Sequence, residues 1–276
     1  MRILDTHLHL IYPDRFSYPW LSGVPKLNRA WSVESYFAEA ANLGIEHALH
    51  MEVDAAETDM VAETQFVTKL DPRVTGAIAA ARPENGDFET HVEGLLQNPM
   101  VRGIRRILHQ SPDELSQTER FRANLRRLGE LGLSFDLCLL ARQLWIARNL
   151  VDAAPDTRFI LDHCGNPDVA GGTSVNWHDD IADLAKRPNL AVKISGIVTN
   201  ARADWTVNDI RPYVEHLIAS FGWDRVVWGS DHPVVTLASN LTGWVEASRE
   251  LVRHESNDNQ SKLFHRNAER IYRVEV

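Results

Sequence analysis

Short apolar, β-prone runs recur eight times along this 276-residue chain, with amphipathic stretches of helical length between them. The runs are the opening one through Leu10, then Ile45–Val53, Arg73–Ala81, Val101–Leu108, Leu133–Leu139, Arg158–Cys164, Leu190–Ser195 and Val226–Ser230. Helical periodicity is clearest at Ser32–Leu43, Glu57–Leu70, Gln117–Leu131, Ala141–Ala154, Val207–Phe221 and Leu237–His254. Strands alternating with helices make a parallel sheet, because each helix carries the chain back to the end where the previous strand began. Eight such units within about 250 residues suit a closed (β/α)8 barrel, although an open doubly wound sheet shares the alternation. Local punctuation agrees. Ser32 and Thr206 each put a hydroxyl ahead of an acidic first turn, and Gly44, Gly132 and Gly222 close helices just before strands.

The polar residues favour the barrel. The strand ends, or the loops that follow them, carry His7 and His9, Glu52, Arg82, Arg105 and Arg106 with His109, Asp136, His163, Lys193 with Ser195, and Asp231. In a barrel those ends converge on one mouth, whereas an open sheet spreads them along a line. The expectation is one α/β domain, a (β/α)8 TIM barrel over residues 1–276, with no Gly/Ser/Pro-rich linker or charge block to divide it.

Composition narrows the partners. A net charge of −9 argues against nucleic acid and against an anionic membrane surface, both of which need clustered Lys and Arg. A small-molecule substrate fits better. Two cysteines, Cys138 and Cys164, are too few for a disulfide framework and fit a reducing compartment. With no secretion signal and no long apolar run, a cytoplasmic location is expected. No coiled-coil heptad is visible, and homo-oligomer formation stays open.

In the first strand His7 and His9 stand two residues apart, so alternation sends them, with Asp5, to one face. Two converging imidazoles suit one divalent cation, or a pair of groups gripping a polarised oxygen. Val226-Val-Trp-Gly-Ser-Asp231-His232-Pro233 ends an apolar strand in a carboxylate, which then needs a cation, an arginine or histidine, or a raised pKa. Asp231 is therefore a candidate base, or else a cap for the following turn. His163 sits where the strand Phe159-Ile-Leu-Asp162 breaks into a Gly/Pro turn, and Lys193 lies inside an apolar strand, where lysine demands a partner. Of Arg105 and Arg106 one must face inward, suited to gripping a carboxylate or a hydroxyl pair, and alternation alone leaves the choice open. Glu52 is either a cation ligand or an arginine's partner.

In order along the chain, Asp5-Thr-His7-Leu-His9, Gly103-Ile-Arg105, Leu161-Asp-His163-Cys-Gly165, Val192-Lys193-Ile-Ser-Gly196 and Trp228-Gly-Ser-Asp231-His-Pro233 resemble the amidohydrolase superfamily. The nearest likeness is to the amidohydrolase-2 branch, with its sugar lactonases (L-fuconolactonase and L-rhamnonolactonase types) and 2-pyrone-4,6-dicarboxylate lactonase; Tyr18-Pro-Trp20 adds to it. That resemblance implies lactone opening, with an aldonolactone as substrate and Asp231 activating water. It implies that His7, His9 and His163 hold the carbonyl directly or through one Zn²⁺, with Arg105 orienting the substrate. His7, His9, Glu52 and Asp231 are the implied metal ligands; Trp20, Arg82, Arg106, Lys193 and His232 are the implied substrate contacts. No organic cofactor is expected. The sequence departs from metal-rich members: the fifth strand reads Asp136-Leu-Cys138 where they supply histidine, and the fourth reads Arg105-Arg106. A binuclear site is not expected, and a single metal would be dispensable. His232 stands where the branch commonly has tryptophan. The alternatives are a metal-dependent nonoxidative decarboxylase and a non-catalytic barrel that binds a sugar acid. Tyr18, Trp20, Trp31 and Trp177 are expected to supply rings over the mouth.

Overall fold

The computed structural model describes residues 1–172 and 175–276. Eight parallel strands pair in sequence order: β1 (Ile3–Leu8), β2 (Ile45–Met51), β3 (Val74–Ala80), β4 (Val101–Ile107), β5 (Ser134–Cys138), β6 (Arg158–Leu161), β7 (Leu190–Ile194) and β8 (Val226–Trp228). Helices α1 (Val33–Ala40), α2 (Met60–Val67), α3 (Phe88–Leu96), α4 (Glu119–Glu130), α5 (Leu144–Ala153), α6 (Val175–Leu184), α7 (Val207–Phe221) and α8 (Leu241–Leu251) follow the strands in turn. Two further short helices are α9 (Asn257–Ser261) and α10 (Asn267–Tyr272). The architecture is the expected (β/α)8 barrel, and the sequence periodicity lacked only α3, α6 and the last two helices. Thr206 and Asp209 cap α7 reciprocally, the hydroxyl of Ser32 accepts from the Ser35 amide, and Gly44, Gly132 and Gly222 all have positive φ. Among the described residues no helix is long and apolar enough to cross a membrane.

Strand β8 is only three residues long, so the seam of the barrel closes above it. The Asp231 amide donates to the His7 carbonyl at 2.9 Å, and the His9 amide donates to the His232 carbonyl at 2.8 Å. Lower down, the Thr6 hydroxyl donates to the Trp228 carbonyl at 2.8 Å. Strands β6 and β8 end earlier than their apolar runs suggest, because the chain turns through positive φ at His163 (53°), Cys164 (58°) and Asp231 (57°). Such a backbone is rare for these residues; it aims His163 and Asp231 off the strand direction into the mouth, while Cys164 packs into the core.

Two apolar layers hold the fold. One lies between strands and helices; the other fills the barrel with Leu4, Leu49, Met51, Ile78, Ile160 and Val227, closed from below by Ile271 and Tyr272 of α10. Strand β1 breaks the expected alternation. Between Asp5 and Leu8 its register against β2 slips by one residue, so Leu4 and His7 both face inward while Asp5 turns out toward α1. There Asp5 accepts from the Tyr36 hydroxyl at 2.5 Å and from the amides of His7 and Ser230 at 3.0 and 2.8 Å. The shared face expected for Asp5, His7 and His9 is therefore corrected: Asp5 ties the seam together from behind. Removing one of its partners strands a buried carboxylate oxygen, at about 1–3 kcal/mol. Tyr36→Phe is thus expected to lower Tm by about 2–6 °C in calorimetry without changing the far-UV circular dichroism.

Candidate active site

The mouth holds a cavity of about 290 Å³ whose floor is His9, Arg105, His163 and Asp231. The ring of His9 is fixed by its Nδ1, 3.0 Å from the Met51 carbonyl. A carbonyl only accepts, so Nδ1 carries the proton and Nε2 presents a lone pair, 3.6 Å from Oδ1 of Asp231. His7 Nε2 stands 3.6 Å from the same oxygen, and His163 Nδ1 lies 3.9 Å from Oδ2. The His163 ring is held by Ser195 Oγ at 3.0 Å. Burial pushes the Asp231 carboxyl up to about 6, against the pull of His163 and Arg105, and burial draws His9 down to about 3. Burial also lowers His163. At neutral pH the floor is an ionised carboxylate among neutral imidazoles.

His7, His9 and Asp231 present donor atoms that all lie within 4.8 Å of one another, all in buried residues. Two ligands about 2.1 Å from one cation at a tetrahedral angle stand roughly 3.4 Å apart. Separations of 3.6 Å are too long for hydrogen bonds and close to that value. The donor set of two imidazoles and a carboxylate therefore fits a divalent cation. Glu52 does not join it. Its Oε1 takes Nε of Arg105 at 2.6 Å and its Oε2 takes the Asp54 amide at 2.7 Å, so both oxygens are committed and the ligand reading gives way to the arginine-partner reading.

The structure settles the arginine pair. Arg105 faces inward, held by Glu52 through the side chain and, at 2.8 Å, the main-chain carbonyl. Arg106 points outward to Glu84 at 2.8 Å, away from the cavity, which corrects its assignment to substrate. Arg82 is likewise displaced: it pairs with Asp54 at 3.0 Å and with Glu57 at 3.5 Å, beside rather than inside the cavity. Lys193 lies wholly buried beneath the floor, its ammonium 2.7 Å from Asp136, 2.9 Å from Asp162 and 3.3 Å from Nδ1 of His7, out of a substrate's reach. His232 turns to the opposite side of its strand end from Asp231, against the rings of Trp31 and Tyr36, and burial draws it down to about 4. Of the four aromatics expected over the mouth, Trp20 alone lines the cavity, its indole donating to the Val53 carbonyl at 2.7 Å. Tyr18 and Trp31 are buried below their loop, and Trp177 packs inside α6 with its indole on the Cys164 carbonyl.

Sequence reasoning passed over Asp162, which sits between Lys193 and Arg105 at 2.9 and 3.7 Å. The signal was present: a buried lysine needs buried carboxylates, and only a few inward strand positions supply them. Lys193 and His7 hold Asp162 well below the usual carboxylate range although burial acts to raise it. Tyr272, which donates to Asp136 at 2.7 Å from below the barrel, had no such signal. Nor did Gln110, Asn166, Thr199 and Asn200, which join His109 in a neutral polar wall built from the segments that follow the strands.

A family profile described as amidohydrolase matches residues 4–274. Among curated proteins, an L-fucono-1,5-lactonase of Burkholderia ambifaria is 29% identical over 224 residues, covering 79% of this chain and 74% of its own. A 4-sulfomuconolactone hydrolase of Rhizobium radiobacter is 26% identical over 230 residues, with coverage of 83% and 75%. Among solved structures, an amidohydrolase from Burkholderia multivorans with bound zinc superposes with a TM-score of 0.92 over 100% of both chains at 20% identity, a likeness of fold. With the histidine pair, the strand-end aspartate and the barrel all in place along the matched length, this chain belongs to the amidohydrolase family.

Proposed function

We propose that the protein hydrolyses a lactone, and that its substrate is an uncharged, hydroxyl-rich ring of the aldonolactone kind, such as an L-fucono- or L-rhamnonolactone. The observation that carries the reading is the carboxylate of Asp231. It lies at the floor of the cavity, and its contacts to the three histidines, at 3.6, 3.6 and 3.9 Å, are all longer than hydrogen bonds. Its lone pairs are free to take a proton from water in the cavity. Relatives that open a sugar lactone and a muconolactone support the lactone ester as the bond attacked.

The chemistry follows from that arrangement. Asp231 accepts a proton as the water oxygen bonds to the lactone carbonyl carbon. His163, beside Asp231 in the cavity, grips the carbonyl oxygen as it gains charge, with His7 buried behind them. The ring C–O bond then breaks, and Asp231 returns the proton to the departing ring oxygen, leaving a hydroxy acid. Arg105, preorganised by Glu52, orients the ring without moving. One divalent cation such as Zn²⁺, held by His7, His9 and Asp231, would add Lewis-acid polarisation of the carbonyl when bound. A lactone is activated enough that the base and donors suffice, and the metal is dispensable in this reading.

The wall supports a neutral substrate. Asn166, Asn200, Gln110 and Thr199 offer hydrogen bonds without charge, Trp20 offers a ring face for a sugar, and the one cavity arginine is already paired. Asp54, also at the wall, is paired with Arg82. Among the described residues, a dicarboxylate ring finds no unpaired cation in this cavity.

Asp231→Asn is expected to cut kcat on an aldonolactone by about 10²–10⁴-fold with KM little changed, read by proton release; near-normal turnover would refute the base assignment. Trp20→Ala should raise KM about tenfold, whereas Arg82→Ala, outside the cavity, should leave kcat/KM within about twofold. On a panel of aldonolactones and 2-pyrone-4,6-dicarboxylate, turnover should favour the neutral rings and survive a chelator. Carbon dioxide release lost on chelation would instead indicate a decarboxylase.

A further inference from the structure

The end of the barrel opposite the mouth carries a second hollow, of about 260 Å³. It lies where strands begin, between the loop that leads into β4, the turn from α4 to β5 and the residues that end α10. Arg102 and Arg273 line it together with Gly132, and among the described residues no Asp or Glu does. In a chain whose 38 Asp and Glu outnumber its 29 Lys and Arg, that is the reverse of the average surface. A third guanidinium stands beside them. Arg158 is the first residue of β6, and the register runs from Gly103 to Ser134 to Arg158, so Arg102 and Arg158 flank the start of β5 from either side.

These three cations lack counter-charge. Nη2 of Arg158 donates to the Gly132 carbonyl at 2.7 Å, Nη1 of Arg273 donates to the same oxygen at 3.4 Å, and Nη1 of Arg102 donates to the Pro99 carbonyl at 2.7 Å. A guanidinium has five N–H groups, and among the described residues each of the three meets a neutral carbonyl through one of them and no carboxylate. Nε of Arg102 and of Arg158 has no acceptor at all. Burial, and after it the charge of Arg273, draws Arg158 below the usual guanidinium range. Like charges gathered around one hollow repel each other unless an anion sits between them. The main chain is shaped to gather them: Gly132 has a φ of 73°, and a Cβ there would lie 2.7 Å from Nη1 of Arg273, so only a bare glycine lets two arginines share its carbonyl.

We propose that this hollow is an anion site built for a phosphate-type dianion, either free inorganic phosphate or the phosphate group of a small metabolite. Arginine at all three positions fits that ligand, since a planar fork offers paired N–H groups to two oxygens at once. The space holds the anion with a few waters. Bound there, the anion ties together the start of β4, the start of β6 and the end of α10, three parts of the chain far apart in sequence, and stabilises the folded state by mass action. This end of a barrel serves stability rather than chemistry, so the site is independent of the reaction proposed at the mouth.

The test is scanning calorimetry at pH about 8, where phosphate is a dianion, with sodium phosphate exchanged for sodium chloride at constant ionic strength. Phosphate is expected to raise Tm of the parent protein by about 2–4 °C, saturably, with a Kd on the order of 1 mM. Arg102→Gln combined with Arg273→Gln should weaken that binding at least about tenfold. Arg142→Gln combined with Arg253→Gln removes the same charge from exposed arginines already paired with carboxylates, and should keep the full shift. Glycerol phosphate binding more tightly than inorganic phosphate would identify a metabolite's phosphate as the ligand, and weaker binding would identify the free ion; either upholds the site. No saturable shift, or one that survives unchanged in the Arg102 and Arg273 variant, overturns it. If that variant does not fold, Arg273→Gln alone, at the exposed edge of the hollow, takes its place, and unchanged phosphate binding there overturns the site equally.

Discussion

Everything at the mouth depends on how the barrel is closed. The seam between the first and last strands is made above β8 by two backbone hydrogen bonds, Asp231 to His7 and His232 to His9. The same residues supply the carboxylate and the two imidazoles of the site. Ring closure and site assembly are therefore one event, and the positions of these side chains are set by a parallel ladder rather than by mobile loops. Asp5 reinforces the seam from outside through the amides of His7 and Ser230.

Beneath the seam the barrel interior changes from apolar to ionic within about one layer of side chains. Arg105 with Glu52, and Lys193 with Asp136 and Asp162, are two buried groups in which each cation meets carboxylate at 2.6–2.9 Å. Such pairs contribute little net stability, because desolvation offsets most of the attraction. Their value here is orientation. They form a rigid, charged base plate beneath the histidines, and they keep fixed cations close to the point where a carbonyl oxygen gains charge.

Much of this was legible in the residues. Eight apolar runs with intervening helices specified the barrel, because periodicity reports burial directly. His7, His9, His163 and Asp231 were legible because polar groups at the ends of apolar strands are costly without a purpose. The choice between Arg105 and Arg106 was not, since it turns on the phase of a strand whose first residue must be known. The outward turn of Asp5 was hidden for a related reason: a one-residue slip in β1 reverses a side chain's face and leaves no mark in composition. Arg82, Arg106 and His232 looked like substrate contacts because sequence shows a charge near a strand end but not the carboxylate or ring already beside it.

The seam also has a temporal side. His7 and Asp231 are 224 positions apart, while each remaining strand pair joins neighbours in the chain. A nascent polypeptide emerging at about 5–20 residues per second can lay down β1 to β7 in order, yet the edge of β1 must wait, unpaired, for residues more than 200 positions later. Until then the hydrophobic first strand, with its two histidines, is an open sheet edge. The interval between the making of β1 and of β8 is the interval of exposure to wrong pairing, and the residues that end it also bring the chemistry.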